Sequence, residues 1–195
     1  VAGVLIGGVG GVATAIATTG KEAWNGLKKS VTEFGTAASL GGLASVVASP
    51  VTGVVHGASK VFTTPVAAAA VAWKEKSLGG ALQAAGKECF DTQPGRLASA
   101  AGSLVAGTLA AVPSAASAVV TTTLGDLGRG LTTATDEELN LGGKGLAALS
   151  SVVTAPVAGL VHGASTLVAT PVSSAAAGWE QRSTSEGAGH GVARG

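Results

Sequence analysis

The sequence predicts a mainly α-helical protein made of two tandem copies of a unit that is rich in small residues. Three observations lead to this fold class. One segment of the chain is repeated, large apolar residues recur at helical spacing, and the alternation of apolar and polar residues that is typical of strands is absent. Val and Thr runs such as residues 119–123 have β propensity, but they are shorter than the helical stretches.

The repeat covers more than one short motif. The stretch "PVTGVVHGAS" at residues 50–59 returns as "PVAGLVHGAS" at residues 156–165. Of the 34 positions from 40 to 73, 19 are identical 106 residues later, and weaker matches at an offset of 104 extend the similarity upstream. We therefore predict a first helical unit at residues 1–97, a second at 98–182, and a flexible tail or linker at 183–195.

Local signals refine the helices. Apolar stripes with polar residues opposite them lie near residues 28, 82 and 127, and each predicts an amphipathic helix. Thr135 followed by Glu138 predicts a capping box. Prolines at corresponding positions of the two copies are expected to break or start helices, so that each copy forms a helix-turn-helix unit: Pro50, Pro65, Pro156 and Pro171.

The composition favours a lipid surface, a membrane or a large assembly. Charged residues make up 12% of the chain, about half the share in ordinary soluble domains, and the mean hydropathy is +0.47. The apolar residues are mainly Ala and Val, which bury little area each. A net charge of +1 without basic clusters argues against a nucleic-acid partner. The single cysteine, Cys89, favours a reducing compartment, and the absence of Met indicates a fragment of a longer chain.

Four uncharged runs, at residues 1–20, 34–59, 97–125 and 145–179, are long enough to span a bilayer as helices. Their Ala, Gly, Ser and Thr content makes insertion less favourable than for a Leu-rich span. Gly3, Gly7 and Gly11 form a ladder of small residues on one helix face, which is typical of close helix packing in membranes. We therefore expect helices that lie shallowly on lipid or pack against protein, with true membrane spans as the alternative.

The repeated His-Gly-Ala-Ser motif raises the possibility of a hydrolase, with Ser59 and Ser165 as nucleophiles and His56 and His162 as bases. No G-x-S-x-G motif surrounds either serine, and no acidic residue that could orient the histidine recurs in both copies. The histidines lack metal-ligand spacing. The glycine-rich stretches depart from a phosphate-binding loop. We therefore expect no enzyme activity, no metal and no cofactor.

One region resembles a known family. The stretch "GDLGRGLTTATDEELN" at residues 125–140, followed by "LGGKGLAALSSVVTAPVAGLVHGAS" at residues 141–165, resembles the C-terminal helical region of chorein-family bridge-like lipid-transfer proteins. In that family, Gly-Lys-Gly-aliphatic turns precede a V-T-x-P-V-x-G step. The first copy lacks the Gly-Lys-Gly. The stretch "VTGVV" at residues 51–55 is similar to the lipid-binding repeats of perilipins and synucleins.

The resemblance implies helices that dock a lipid-conducting rod to an acceptor membrane or lipid droplet, on the cytoplasmic face of organelle membranes. With the composition, it predicts a non-enzymatic module that associates with lipid, within a longer lipid-transfer protein acting at membrane contact sites. The alternatives are a structural subunit of a large protein assembly, or membrane-spanning glycine-zipper helices. The lipid-binding residues expected from the stripes and the repeated tryptophans are Trp24, Leu27, Val31, Phe34, Trp73, Leu78, Leu82, Leu124, Leu127, Leu131 and Trp179.

Overall fold

The computed structural model describes residues 2–135 and 141–194, which form six helices and no strand. The chain is therefore mainly α-helical, as predicted. The predicted capping box includes Glu138 and so lies outside the described residues. The helices are α1 (Ala2–Thr32), α2 (Ala37–Glu75), α3 (Leu78–Cys89), α4 (Arg96–Ala134), α5 (Leu141–Gln181) and α6 (Thr184–Arg194).

The four long helices form two antiparallel hairpins, α1–α2 and α4–α5, and close approach at glycines holds each hairpin together. A Cβ atom added to Gly3 would lie 3.1 Å from the Cα atom of Pro65, and one added to Gly107 would lie 3.1 Å from the Cα atom of Pro171. These two contacts occupy corresponding positions of the repeat. Small residues at such contacts allow two helices to approach more closely than Leu or Phe would.

The prolines do not break the helices. That prediction is wrong, because α2 and α5 each run unbroken through both of their prolines. At Pro50 the reason is visible: proline has no N–H for the carbonyl of Val46, and the Ser49 hydroxyl donates to that carbonyl at 2.8 Å instead. The structure therefore contains hairpins of long helices, α1–α2 and α4–α5, and not helix-turn-helix units interrupted at proline.

The predicted flexible tail at residues 183–195 is also wrong, because α6 occupies Thr184–Arg194 and most of its residues are buried. Glycines in this segment suggested a linker, but they permit close contact instead: a Cβ atom on Gly187 would lie 2.6 Å from the backbone nitrogen of Gly178. Tertiary packing on α2, α4 and α5 thus outweighs the low helix propensity of the segment.

Helices α3 and α6 occupy matching places after the two hairpins. Each follows a residue in the left-handed conformation, Lys76 at φ 50° and Arg182 at φ 52°. The hydroxyl of Ser77 accepts a hydrogen bond from the third residue of α3 at 3.2 Å, and that of Ser183 accepts one from the third residue of α6 at 3.4 Å. These positions are 106 residues apart, as in the repeat. The division into two copies and the boundary near residue 97 stay predictions.

The interior contains small and polar residues almost exclusively. One cluster of fully buried apolar residues joins Ala48, Ala106 and Ala188 of α2, α4 and α6. The largest buried side chains include threonines and Glu22, and no Leu, Phe or Trp is buried among the described residues. This distribution is the reverse of the ordinary core of a water-soluble domain.

Candidate lipid-facing surface and polar interior

Helix α1 turns its large apolar residues outward and its small and polar residues inward. Trp24 is 68% exposed and Phe34, just beyond the helix, is 90% exposed. On the opposite face, Glu22, Gly26 and Ser30 are buried against the rest of the bundle. Trp24, Leu27 and Val31 of the predicted stripe therefore share an exposed face of α1, and Phe34 is exposed just beyond the end of the helix.

The other residues predicted from the sequence lie on the same kind of surface. Trp73 and Trp179, which end the two copied segments, are 88% and 46% exposed. Leu127 is half-buried. The remaining predicted residues all have exposed side chains: Leu27, Val31, Leu78, Leu82, Leu124 and Leu131.

The exposed apolar surface contains many more residues than the eleven that the sequence predicted. It covers the outward faces of all four long helices. A signal for it was present, because several of these residues follow one another at three- and four-residue intervals inside the uncharged runs. Representative residues that the prediction missed are Leu5, Val9, Val12, Ile16, Val47, Phe62, Leu104, Val112, Leu149, Val153, Leu160 and Val168.

Several buried hydroxyls are satisfied within their own helices, and five have no hydrogen-bond partner within the described part of the chain: Thr18, Thr64, Ser99, Thr170 and Ser174. The Thr14 hydroxyl donates to the carbonyl of Gly10 at 2.9 Å, and the Ser45 hydroxyl donates to the carbonyl of Gly42 at 2.7 Å. Such local bonds let Ser and Thr fill a close helix contact without a partner on the neighbouring helix. The interior can therefore be polar in composition and still be tightly packed.

A buried polar cluster, formed by Glu22, Thr52, Ser103 and Thr184, joins four helices at the start of α6. The Glu22 carboxylate accepts from the backbone N–H of Thr184 at 2.8 Å, and the hydroxyls of Thr52 and Thr184 lie 2.7 Å apart. The Ser103 hydroxyl donates to the carbonyl of Thr184 at 3.2 Å. A carboxylate at the first N–H groups of a helix also interacts favourably with the helix dipole.

Two ion pairs connect the short helices to the hairpins. Lys60 of α2, whose side chain is 3% exposed, pairs with Glu88 of α3 at 3.2 Å. Lys29 of α1 pairs with Glu186 of α6 at 2.8 Å, and its side chain is 10% exposed. In both pairs a largely buried lysine of a long helix pairs with a carboxylate of a short helix.

The repeated histidines have different surroundings. His56 is buried, its Nε2 lies 2.8 Å from the carbonyl oxygen of Asp91, and its Nδ1 accepts from the backbone N–H of Gly95 at 3.3 Å. Because Nδ1 accepts, Nε2 carries the proton and donates to Asp91. His162 is exposed. The segment between α3 and α4 therefore covers one histidine and leaves its counterpart open.

The serines of the His-Gly-Ala-Ser motif do not face the imidazoles. The Ser59 hydroxyl donates to the backbone carbonyl of His56 at 2.6 Å, and the Ser165 hydroxyl donates to that of His162 at 2.7 Å. A serine nucleophile needs its hydroxyl bonded to the base. Within residues 2–135 and 141–194, the His, Cys, Asp and Glu side chains also form no group of three that could hold a metal ion.

All four long helices are long and apolar enough to cross a membrane by length and composition. A helix rises 1.5 Å per residue, so about 20 residues cross the hydrocarbon core of a bilayer. The described surface thus combines an apolar exterior with helices of sufficient length.

Comparison with known proteins identifies no relative. The chain matches no protein-family model, and searches of curated proteins and of solved structures find no significant match either.

Proposed function

We propose that the chain is a non-enzymatic helical module that associates with lipid through the apolar outward faces of its four long helices. The single observation that carries this proposal is the reversed distribution of residue sizes. Large apolar side chains lie on the outside, whereas Ala, Gly, Ser and Thr occupy the interior. In lipid this arrangement places hydrocarbon side chains against hydrocarbon and leaves close helix packing to the small residues.

The energetics favour a lipid environment over water for this packing. Full burial of one Leu, Val or Phe side chain contributes about 1.5–3 kcal/mol, whereas Ala contributes much less. Here the exposed positions hold the large side chains, and the interior clusters hold Ala. In water the bundle would leave most of its available hydrophobic free energy unused.

Embedding accounts for the surface better than helices lying flat on lipid. A helix at a membrane interface has one apolar face toward lipid and one charged face toward water. The bundle instead has exposed apolar residues on every long helix, and its charged residues include the inward-facing Glu22, Lys29 and Lys60. This favours immersion of the apolar helix faces in lipid over a shallow surface position.

The partners we propose are a phospholipid membrane or a lipid droplet, with the remainder of a longer chain. Membership of a lipid-transfer protein at the cytoplasmic face of organelle membranes rests on the chorein resemblance alone.

The experiment that tests embedding uses the 195-residue chain. Purified in mild detergent, it is reconstituted with phosphatidylcholine vesicles, floated on a sucrose gradient, and extracted with alkaline carbonate. We expect it to float and to resist extraction. Flotation followed by release in carbonate would indicate surface binding. A protein that is monodisperse in detergent-free buffer and does not float with vesicles would contradict any association with lipid.

Flotation with artificial triacylglycerol droplets, run beside the vesicles, separates the two lipid partners. The assembly-subunit alternative predicts no preference for either lipid and a chain that stays soluble only with a protein partner.

A further inference from the structure

One side chain of α2 holds the connection between α3 and α4, which runs from residue 90 to residue 95. The Nε2–H of His56 donates to the carbonyl of Asp91 at 2.8 Å, and Nδ1 accepts from the backbone N–H of Gly95 at 3.3 Å. His56 is 2% exposed. Both ring nitrogens are therefore bonded to the connection, and the ring is shielded from solvent.

The bond at Nδ1 requires the neutral imidazole. A protonated ring carries an N–H on each nitrogen and accepts no hydrogen bond. The bond from Nε2 to the carbonyl of Asp91 would persist, but at Nδ1 the new N–H would face the N–H of Gly95. Two buried donors that face each other at 3.3 Å leave both without an acceptor. The closed connection therefore holds only the neutral form of the ring.

The charges around the ring also oppose its protonation. The N–H at Nδ1 belongs to the N-cap residue of α4, and a helix N-terminus carries partial positive charge. Lys60, one turn after His56 on α2, is 3% exposed, and the exposed Arg96 begins α4. Two carboxylates favour protonation, but Glu88 is paired with Lys60 at 3.2 Å and Asp91 is exposed. The geometry thus combines a lost acceptor with positive charge on two sides.

The second copy lacks this arrangement. His162, the counterpart of His56, is exposed. Thr166 stands in the place of Lys60. The chain therefore contains a matched control: a second histidine of the same motif whose ring is open to solvent.

We propose that His56 is an acid-sensitive switch, in which uptake of a proton at Nδ1 releases residues 90–95 from α2. The proton comes from solvent, and the Gly95 N–H exchanges its histidine acceptor for water. Because residues 90–95 connect the two hairpins through α3 and α4, their release loosens the junction between the hairpins. The switch does not depend on the proposed role in lipid binding.

The direction of the pH dependence follows from which state binds the proton. The closed state holds the neutral ring, whereas a ring exposed to solvent on opening has a pKa of about 6.5. The open state therefore binds more protons, and acid favours it. Between about pH 7.5 and about pH 5, the ratio of open to closed molecules should rise about 30-fold.

Hydrogen exchange of the 195-residue chain in mild detergent, followed by mass spectrometry, tests the switch. Exchange of residues 90–95 is measured at about pH 7.5 and about pH 5 and corrected for the intrinsic rate at each pH. We expect the protection of the Gly95 amide to fall about 30-fold at the lower pH while α1 stays protected. Protection at Gly95 that is independent of pH would overturn the proposal. Equal loss of protection in α1 would show global unfolding by acid and would also overturn it.

Three variants assign the effect to one side chain. His56→Asn places an amide oxygen near the position of Nδ1, where it can accept from Gly95 but cannot titrate, so the pH dependence should disappear. His162→Asn should retain it. Asp91→Asn keeps the oxygen that accepts from the N–H of Gln93 at 2.9 Å and removes only the charge, so it should retain the pH dependence as well. A pH dependence that persists in His56→Asn, or that is lost in Asp91→Asn, would place the titrating group elsewhere and refute the switch.

Discussion

The carboxylate of Glu22 accepts a hydrogen bond from the backbone N–H of Thr184 at 2.8 Å, across 162 residues of sequence. This bond ties the start of α6 to α1. Glu22 is 1% exposed, so water cannot replace the acceptor if it is removed.

Glu22→Ala should therefore loosen α6. A buried N–H left without a partner costs about 1–3 kcal/mol, and the glycine-rich α6 has little helix propensity of its own to offset the loss. Hydrogen exchange of residues 184–194, followed by mass spectrometry, should become faster. Glu22→Gln keeps an oxygen acceptor and should behave much more like the wild type; equal exchange in the two variants would contradict the role given to this bond.

Trp24→Ala combined with Phe34→Ala should weaken association with vesicles. Both rings are exposed in the described structure, so helicity without lipid should change little. Burial of one large apolar side chain contributes about 1.5–3 kcal/mol, and the lipid partition coefficient should fall at least about tenfold. Vesicle flotation measures the partition, and circular dichroism measures the helicity.

The matched control for this pair is Thr32→Ala, an exposed change at a polar site between the two rings. If the aromatic variant loses its helicity in detergent before lipid is added, the rings serve the fold and not lipid contact.

His56→Ala and His162→Ala should differ, although both residues belong to the same repeated motif. Removing His56 leaves the N–H of Gly95 and the carbonyl of Asp91 without their partner, whereas His162 is exposed. We expect His56→Ala to lower the free energy of unfolding by about 1–3 kcal/mol and His162→Ala to have little effect. Unfolding in a mixed-micelle denaturant titration measures both, and equal losses would refute the asymmetry.

Gly11→Ala and Gly8→Ala should have opposite effects on stability. A Cβ atom at Gly11 would lie 2.6 Å from the carbonyl oxygen of Gly57, so α1 and α2 must separate. Overpacking of this kind costs about 1–3 kcal/mol. Nothing lies within 4 Å of a Cβ atom at Gly8, where alanine should stabilise the helix by up to about 1 kcal/mol. Thermal unfolding of the two variants in the same detergent provides the comparison.

The sequence by itself determined the helical class, because spacing of three and four residues is a local property of the chain. It also showed that residues 40–73 recur 106 residues later with 19 identities, and that Trp24, Leu27 and Val31 share one helix face. The sequence could not show that Trp24 is exposed and Glu22 is buried, because an amphipathic pattern does not specify which of its two faces packs against the other helices. That outcome depends on the helices that pack against α1 and on the medium around them.

Tertiary contacts alone decided where local rules did not hold. Residues 184–194 are helical because α2, α4 and α5 pack around them. His56 and His162 share one motif, yet only His56 is covered, since the segment between α3 and α4 passes over it. The physical reason is common to both: local sequence sets which conformations are accessible, and contacts between residues distant in sequence select among them.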